Sequence, residues 1–346
     1  MGRSSLKNFF SVKNIEEYKV FTFFGFSFKF KNRLLAQKVE FYKALDDRSK
    51  EFEYKLCKYM PEEKYSEYLK DWFSLRTGQT LNLDNPVTFN EKIQWLKLHD
   101  STPLKTRLAD KYLVRDWIKE KVGEQYLIPL LGVWEKFDDI DFNKLPDKFV
   151  LKANHGCGWN IIVKDRSKFD KKEAQKKFDK WMQTNFAYCA GLELHYKNIK
   201  PLIIAEEYIE EVDSCAIDYK FICFDGNPEL CWVSDKSKNI QERSFYNMDW
   251  VMQDIELVEP HKVQAKEPVE KPQNLAEMIK IAKELSRGFA FVRVDLYKLL
   301  DGTLKFGELT FTSASGVSKW SSYDIDKKLG DLINIEALKN SKVTGE

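Results

Sequence analysis

The spacing of apolar residues changes character along the chain. Residues 37–59 and 65–73 carry helical periodicity, with Pro61-Glu-Glu63 suited to a first turn between them. Thr88-Phe-Asn-Glu91 has the form of a capping box. It opens a helix whose Ile93, Trp95, Leu96 and Leu98 are assigned to the core. A further helix is expected from Asp110 to about Val122, stopped by Gly123, and a short strand over residues 126–131. From Phe149 onward the pattern turns to strands. Residues 149–163 read as strand, glycine-containing loop and strand. Residues 201–209 form a buried strand that becomes polar at its end. Residues 218–233 form a hairpin turning at Asp225-Gly226-Asn227. Amphipathic helices are expected over 166–186 and 274–287, and a mobile loop or lid over the Lys/Glu/Pro-rich stretch 260–273. Residues 19–31 alternate, with Phe24, Phe26, Phe28 and Phe30 on one face and Gly25, Ser27, Lys29 and Lys31 on the other.

The stretch 293–316 concentrates the chemistry. Two apolar-rich runs flank Asp301-Gly302, a dipeptide that favours a tight hairpin. A loop centred there sets Asp295 opposite Glu308 and Arg293 opposite Thr310, all on one face. Val292, Val294, Leu296, Leu309 and Phe311 fall on the other, which is core. Carboxylates directly across a ladder have Cβ atoms about 5 Å apart and repel. They require a proton, a basic neighbour or a metal. Arg293 neutralising both is one reading. A Mg²⁺ site is the other, because Mg²⁺ takes oxygen ligands and completes its shell with water and phosphate oxygens. The second reading asks for phosphate binders elsewhere. Lys152 and Lys220 interrupt apolar strands, and Lys111 falls near an expected helix start, where the dipole disfavours a cation. His155-Gly-Cys-Gly158 can offer backbone N–H groups to phosphate. It is neither a P-loop nor a dinucleotide fingerprint.

A net charge of +2 gives no reason to invoke nucleic acid. The six cysteines have no zinc spacing, and Cys215, Cys223 and Cys231 sit in apolar stretches, which suits a reduced, cytoplasmic protein. No run of about 20 apolar residues is long enough to span a bilayer. The basic, Phe-rich segment within residues 1–45 has two readings. It contacts an anionic membrane surface at the inner face of the cell membrane, or it packs on the main body or a second subunit.

Taken in order, Lys111, Lys152, the glycine loop, residues 206–209, Asp213, Lys220, Arg293, Asp295, Glu308 and Thr310 resemble the ATP-grasp superfamily. Within it, the chain is similar to the TupA-like family of bacterial surface-polysaccharide clusters, over about residues 60–330. Thr88-Phe-Asn-Glu-Lys-Ile-Gln-Trp-Leu96, Ala109-Asp-Lys-Tyr112, Phe149-Val-Leu-Lys-Ala-Asn-His-Gly156, Asp218-Tyr-Lys-Phe221 and Phe306-Gly-Glu-Leu-Thr-Phe311 carry the likeness.

The resemblance implies an α+β fold in which two α+β lobes sandwich ATP behind a helical N-terminal region. The expected segments are an extension (1–45), the helical region (46–145), a first lobe with the glycine loop (146–210), a second lobe with the metal hairpin (211–335) and a tail (336–346). It implies that Lys111 and Lys152 hold the triphosphate and that Gly156, Cys157 and Gly158 close over it. The hinge of Glu206, Glu207, Tyr208 and Ile209 reads adenine through main-chain groups of Glu207 and Ile209, and Asp213 meets the ribose. Asp295, Glu308 and Thr310 bind Mg²⁺. Arg293 stabilises the transferring group, and Lys220 contacts phosphate or the acid substrate. His155 is open between a base or anion ligand and a structural loop residue. Ser313-Ala-Ser-Gly316 is open between a substrate contact and a plain turn. Thr310 stands where the superfamily usually has Asn. The implied chemistry is ATP- and Mg²⁺-dependent joining of a carboxylate to an amine. A glycosyltransferase of the same pathway, a kinase and a non-catalytic scaffold are the alternatives.

Overall fold

The computed structural model describes residues 10–344, except 16–17, 24–25, 32, 215–216, 236–240, 259–261 and 266, and describes no side chains before residue 46. The chain divides into two compact units, residues 1–59 and 60–346. In the first, β1 (Phe10–Ile15), β2 (Tyr18–Phe23) and β3 (Phe26–Lys31) form an antiparallel sheet in that order, followed by α1 (Arg33–Tyr59). The alternating segment thus lies in paired strands, whereas Phe24, Gly25 and the exposure of the Phe face lie outside the described residues. Among the described residues, no helix is long and apolar enough to cross a membrane.

The second unit opens with α2 (Tyr65–Thr77), α3 (Phe89–His99), α4 (Pro103–Ala109) and α5 (Val114–Lys121). The capping box at α3 forms as predicted, with Thr88 and Glu91 reciprocally bonded. The helix expected from Asp110 instead begins at Val114. Residues 110–113 are a turn, because the Asp110 carboxylate accepts from the N–H groups of Tyr112 and Leu113. Lys111 thus sits in a turn after α4, not in a helix.

Strands β4 (Leu130–Trp134), β5 (Phe149–Ala153), β6 (Asn160–Val163) and β7 (Ile203–Glu207) make a four-stranded sheet in the order β4-β7-β5-β6. Its first strand starts later than predicted, since residues 124–126 form a 3₁₀ turn. Alternation sorts its faces. Phe149, Leu151, Ala153, Ile203 and Ala205 pack with Phe178 of α6 (Lys171–Met182), while Val150, Lys152 and Glu206 face the other way.

After α7 (Glu210–Ser214) the larger sheet is built from β8 (Ile217–Phe224), β9 (Asn227–Asp235), β10 (Gln241–Tyr246), β11 (Met252–Gln253) and β12 (Lys262–Gln264), then, following α8 (Leu275–Ser286), β13 (Phe291–Lys298) and β14 (Leu304–Thr310). The order is β11-β10-β9-β8-β13-β14, with β12 parallel to β10. The stretch expected to be wholly loop therefore contributes a short strand. Val292, Val294, Leu296, Leu309 and Phe311 pack with Met278, Ile281 and Leu285 of α8, as expected of the core face. Cys223 and Cys231 are buried with them, and burial pushes the Cys223 thiol up to about 12. Cys215 lies outside the described residues. Helices α9 (Tyr323–Asp331) and α10 (Ile335–Thr344) close the chain.

The hairpin register holds for a reason only half visible in the sequence. Asp295 pairs with Glu308 and Arg293 with Thr310, but nearer the turn Leu296 pairs with Phe306. Gly307 is the extra residue, and its bulge restores the register that a two-residue turn would have set. A Cβ on Gly307 would stand 3.1 Å from the Asp295 carbonyl oxygen, so a side chain there would press on β13.

Candidate active site

A cleft of about 290 Å³ lies between the two sheets of the second unit, at the low end of the range of small-molecule sites, about 300–1,000 Å³. One part of its wall is apolar (Leu108, Val114, Leu127, Ile128, Val150, Ile162). The other carries Lys111, Lys152, Glu206 and Glu308. An apolar slot continuous with a charged end matches a base joined to phosphates better than a uniformly polar substrate.

The small sheet supplies Lys152 and Glu206 because both fall on its cleft-facing side. The Lys152 ammonium donates to Glu206 Oε2 at 2.5 Å. Arg115 donates to Glu206 Oε1 at 3.0 Å and to the Ile128 carbonyl at 2.8 Å. Arg115 was not singled out by the sequence reading. Its signal is a cation in the first turn of a helix, where the dipole disfavours one. Lys111 donates to the Gly156 carbonyl of the glycine loop. Enclosure lowers the pKa of its ammonium, and Glu308 is the largest opposing influence. Gly158 lines the cleft with a left-handed backbone (φ 71°), and Cys157 is exposed beside it.

His155 is placed differently. It is 2% exposed, its Nδ1 lies 3.2 Å from Asn154 Oδ1 and its Nε2 3.0 Å from the Trp181 carbonyl. Both ring nitrogens are engaged inside the lobe, which supports the structural reading of this histidine.

Residues 206–209 and Asp213 line the far end of the cleft. The Glu207 N–H donates to the Pro129 carbonyl at 3.0 Å, which fixes this segment against the strand before it. The Tyr208 hydroxyl donates to Asp213 at 3.1 Å, and Lys164 lies 2.6 Å from the same carboxylate.

On the large sheet, Lys220 of β8 and Glu308 of β14 both pair in register with Asp295 of β13, so the three form one row on the cleft-side face. Arg293 Nε donates to Asp295 Oδ1 at 2.6 Å, and its Nη2 to Asp295 Oδ2 at 2.7 Å and Glu308 Oε1 at 3.0 Å. Lys220 donates to Asp295 Oδ2 at 2.7 Å. Asp295 is 2% exposed. Burial alone would raise its pKa, but Arg293 and then Lys220 outweigh it and hold the carboxyl below its ordinary value. Arg293 is correspondingly pushed up against its own burial, chiefly by Asp295.

Neutralisation by Arg293 and a metal site had stood as alternatives. Arg293 does neutralise both carboxylates, yet the donor set remains one of oxygens only. Glu308 is 36% exposed at its side chain and lines the cleft, and Thr310 donates to its Oε1 at 3.0 Å. Among the described residues, no cluster of three or more His, Cys, Asp or Glu could hold a metal by itself. Two carboxylates completed by phosphate oxygens and water fit Mg²⁺, which rarely uses an all-protein cage. Glu308 is accessible for this, while Asp295 can join only if Arg293 releases it.

Among solved structures, the chain is similar to an L-amino acid ligase from Bacillus licheniformis (19% identity, TM-score 0.43, covering 69% of this chain and 52% of that one). It is also similar to the D-alanine-D-alanine ligase from Coxiella burnetii (11%, 0.40, 74% and 67%) and the D-cycloserine synthetase DcsG (16%, 0.38, 78% and 93%). The chain thus spans about half the length of the first of these. No curated protein matches it. The family model TupA-like ATPgrasp matches residues 91–334, which take in both sheets, the glycine loop and the carboxylate hairpin. The chain therefore belongs to the TupA-like ATP-grasp family and has that family's α+β fold.

Proposed function

We propose that this protein is an ATP- and Mg²⁺-dependent ligase that joins a carboxylate to an amine during assembly of a bacterial surface polysaccharide. The observation that carries the chemistry is the arrangement of the cleft: Lys111, Lys152 and Gly158 of the glycine loop line it together with Glu308, which Arg293 joins to the buried Asp295 and Lys220. The polymer setting rests on the family resemblance alone.

In this reading, the apolar slot takes adenine beside residues 206–209, and Asp213 meets the ribose. Lys111 and Lys152 bind the phosphates as point charges. Lys152 exchanges Glu206 for phosphate, and Glu206 keeps Arg115. Glu308, Asp295 and Thr310 face Mg²⁺, which when bound screens the phosphate charge and orients the γ-phosphoryl group. Attack by the acid's carboxylate oxygen on that group forms an acyl phosphate and ADP. The amine then attacks the acyl carbon, phosphate leaves and an amide forms. Arg293 stabilises charge on the transferring group and then on the acyl oxygen, and Lys220 supports it. Such chemistry depends on positioning and charge and needs no nucleophile–base triad.

The test is ³¹P NMR of the protein with Mg-ATP and mixed uronic acids, amino acids and amines, beside Asp295→Ala. Phosphate and ADP formed only when acid and amine are both present is the expected result. A phosphorylated acceptor would instead identify a kinase. Cleavage of a nucleotide sugar without ATP turnover would identify a glycosyltransferase.

A further inference from the structure

The polar residues of α3 do more than solvate a helix. They tie it to the segment that leaves the metal strand. Asn90 donates to the Ser318 carbonyl at 2.8 Å and accepts from the Ser318 N–H at 3.0 Å. Gln94 donates to the carbonyls of Ser315 (2.9 Å) and Gly316 (2.8 Å). Lys97, fully buried, donates to Ser315 O and Oγ at 2.7 Å each, to Gly191 O at 2.8 Å and to Gln94 Oε1 at 3.0 Å. It also lies 4.8 Å from the centre of the Trp72 ring. A buried ammonium is unfavourable unless its donors are satisfied. Burial draws its pKa down to about 7, with Glu193 opposing.

What these bonds hold is strained. Ala314 and Ser315 have φ of 47° and 52°, and Gly316 follows at 67°. Successive non-glycine residues in the left-handed region persist only where the surroundings over-determine them, and such strain collects at functional sites. At Gly316 a Cβ would stand 2.5 Å from Gln94 Nε2, so helix and turn are fitted closely. The turn begins at Ser313, whose hydroxyl accepts from Arg293 Nη1 at 3.3 Å. Just before it, Thr312 donates to the buried Glu193 carboxylate.

We propose that Lys97 is a positioning residue for group transfer: its ammonium locks the 313–316 turn, and the turn sets Ser313 against Arg293. The inference rests on the ligase reading. If Asp295 and Glu308 turn to a metal, Arg293 gives up their oxygens, and Ser313 remains as a hydrogen-bond partner that holds the guanidinium in place.

The test uses the full chain and calorimetric titration with Mg-ADP, alone and with aluminium fluoride as a stand-in for the transferring phosphoryl group. Wild-type protein should bind Mg-ADP with aluminium fluoride roughly 10²-fold tighter than Mg-ADP, as transition-state mimics do. Lys97→Met should keep its Mg-ADP affinity within about twofold yet lose tenfold or more of that tightening, because the interactions affected are those of the transition state. Ser315→Ala, which removes one of the four acceptors, should show a smaller loss of the same kind, and it decides the matter if Lys97→Met does not fold. Unchanged tightening in the folded variants would overturn the proposal. So would equal loss of both affinities, which marks general loosening, or a wild-type protein that binds Mg-ADP without tightening. A wild-type protein that fails to bind Mg-ADP at all would defeat the nucleotide reading on which the proposal rests.

Discussion

The two walls of the cleft hold their charges in opposite ways. On the small sheet, Glu206 bridges Lys152 and Arg115, and the Lys152 side chain is 25% exposed. On the large sheet, Asp295 takes three charge-assisted hydrogen bonds from Arg293 and Lys220, and its side chain is 3% exposed. Glu206 is itself only 9% exposed, but it keeps Arg115 when Lys152 leaves, so the more open lysine can change partners, as a phosphate grip must. The sealed wall cannot lose Arg293 without leaving the buried Asp295 to Lys220 alone and taking the guanidinium from Glu308. The first wall is therefore suited to binding, and the second to holding an arginine in a set geometry until a stronger claim on its carboxylates arrives.

The largest expected effect breaks the sealed wall. Arg293→Met should lower unfolding free energy in denaturant titration by up to about 3–5 kcal/mol, the cost of breaking a buried ion pair, with Lys220 left to hold Asp295. Adding Asp295→Asn should recover part of it, and strict additivity would mean the pair is not coupled. Asp326 sharpens the same point, being a 3% exposed carboxylate with no cation paired to it among the described residues. Burial raises its pKa to about 6 from 3.8, although it accepts from the Asn90 N–H and amide. Its proton is held more tightly in the folded state. The stability it contributes is complete below about pH 4 and is lost as the pH rises through 6. That slope, about 1–3 kcal/mol in total, should vanish in Asp326→Asn, and a slope unchanged in the variant would place the titration elsewhere.

The open wall should respond in binding and hardly in stability. Lys152→Ala is expected to weaken Mg-ATP by about 1.5–3 kcal/mol, the value of a charged hydrogen bond, while unfolding shifts by no more than about 1 kcal/mol. An unchanged ATP affinity would remove Lys152 from the phosphate grip. The mildest test reads a native side chain. Mg-ATP should slow alkylation of the exposed Cys157 in wild-type protein and, at the same concentration, protect Lys152→Ala less, as followed by mass spectrometry. Equal labelling with and without nucleotide would argue that the glycine loop does not cover phosphate.

Much of this arrangement is legible residue by residue. Period-two alternation about the Asp301-Gly302 turn assigns Asp295 and Glu308 to one face of a strand pair. The capping box at Thr88 starts α3 where it should. Local rules fail where a side chain competes with the backbone, as at Asp110, whose carboxylate turns an expected helix start into the loop that carries Lys111. They also miss Arg115, because nothing local says that a carboxylate 91 residues away will meet it.

Strand periodicity, the core face, the identity of the paired carboxylates and the ordered motifs of the family follow from spacings within a few residues and are readable in the chain alone. The folded molecule was needed to see that Gly307 repairs the hairpin register, that both nitrogens of His155 are engaged inside its lobe, and that Lys97 grips the turn after β14. Each of those depends on which distant atoms fill a buried space, and burial makes an unmet hydrogen bond or an unpaired charge costly enough to select one arrangement.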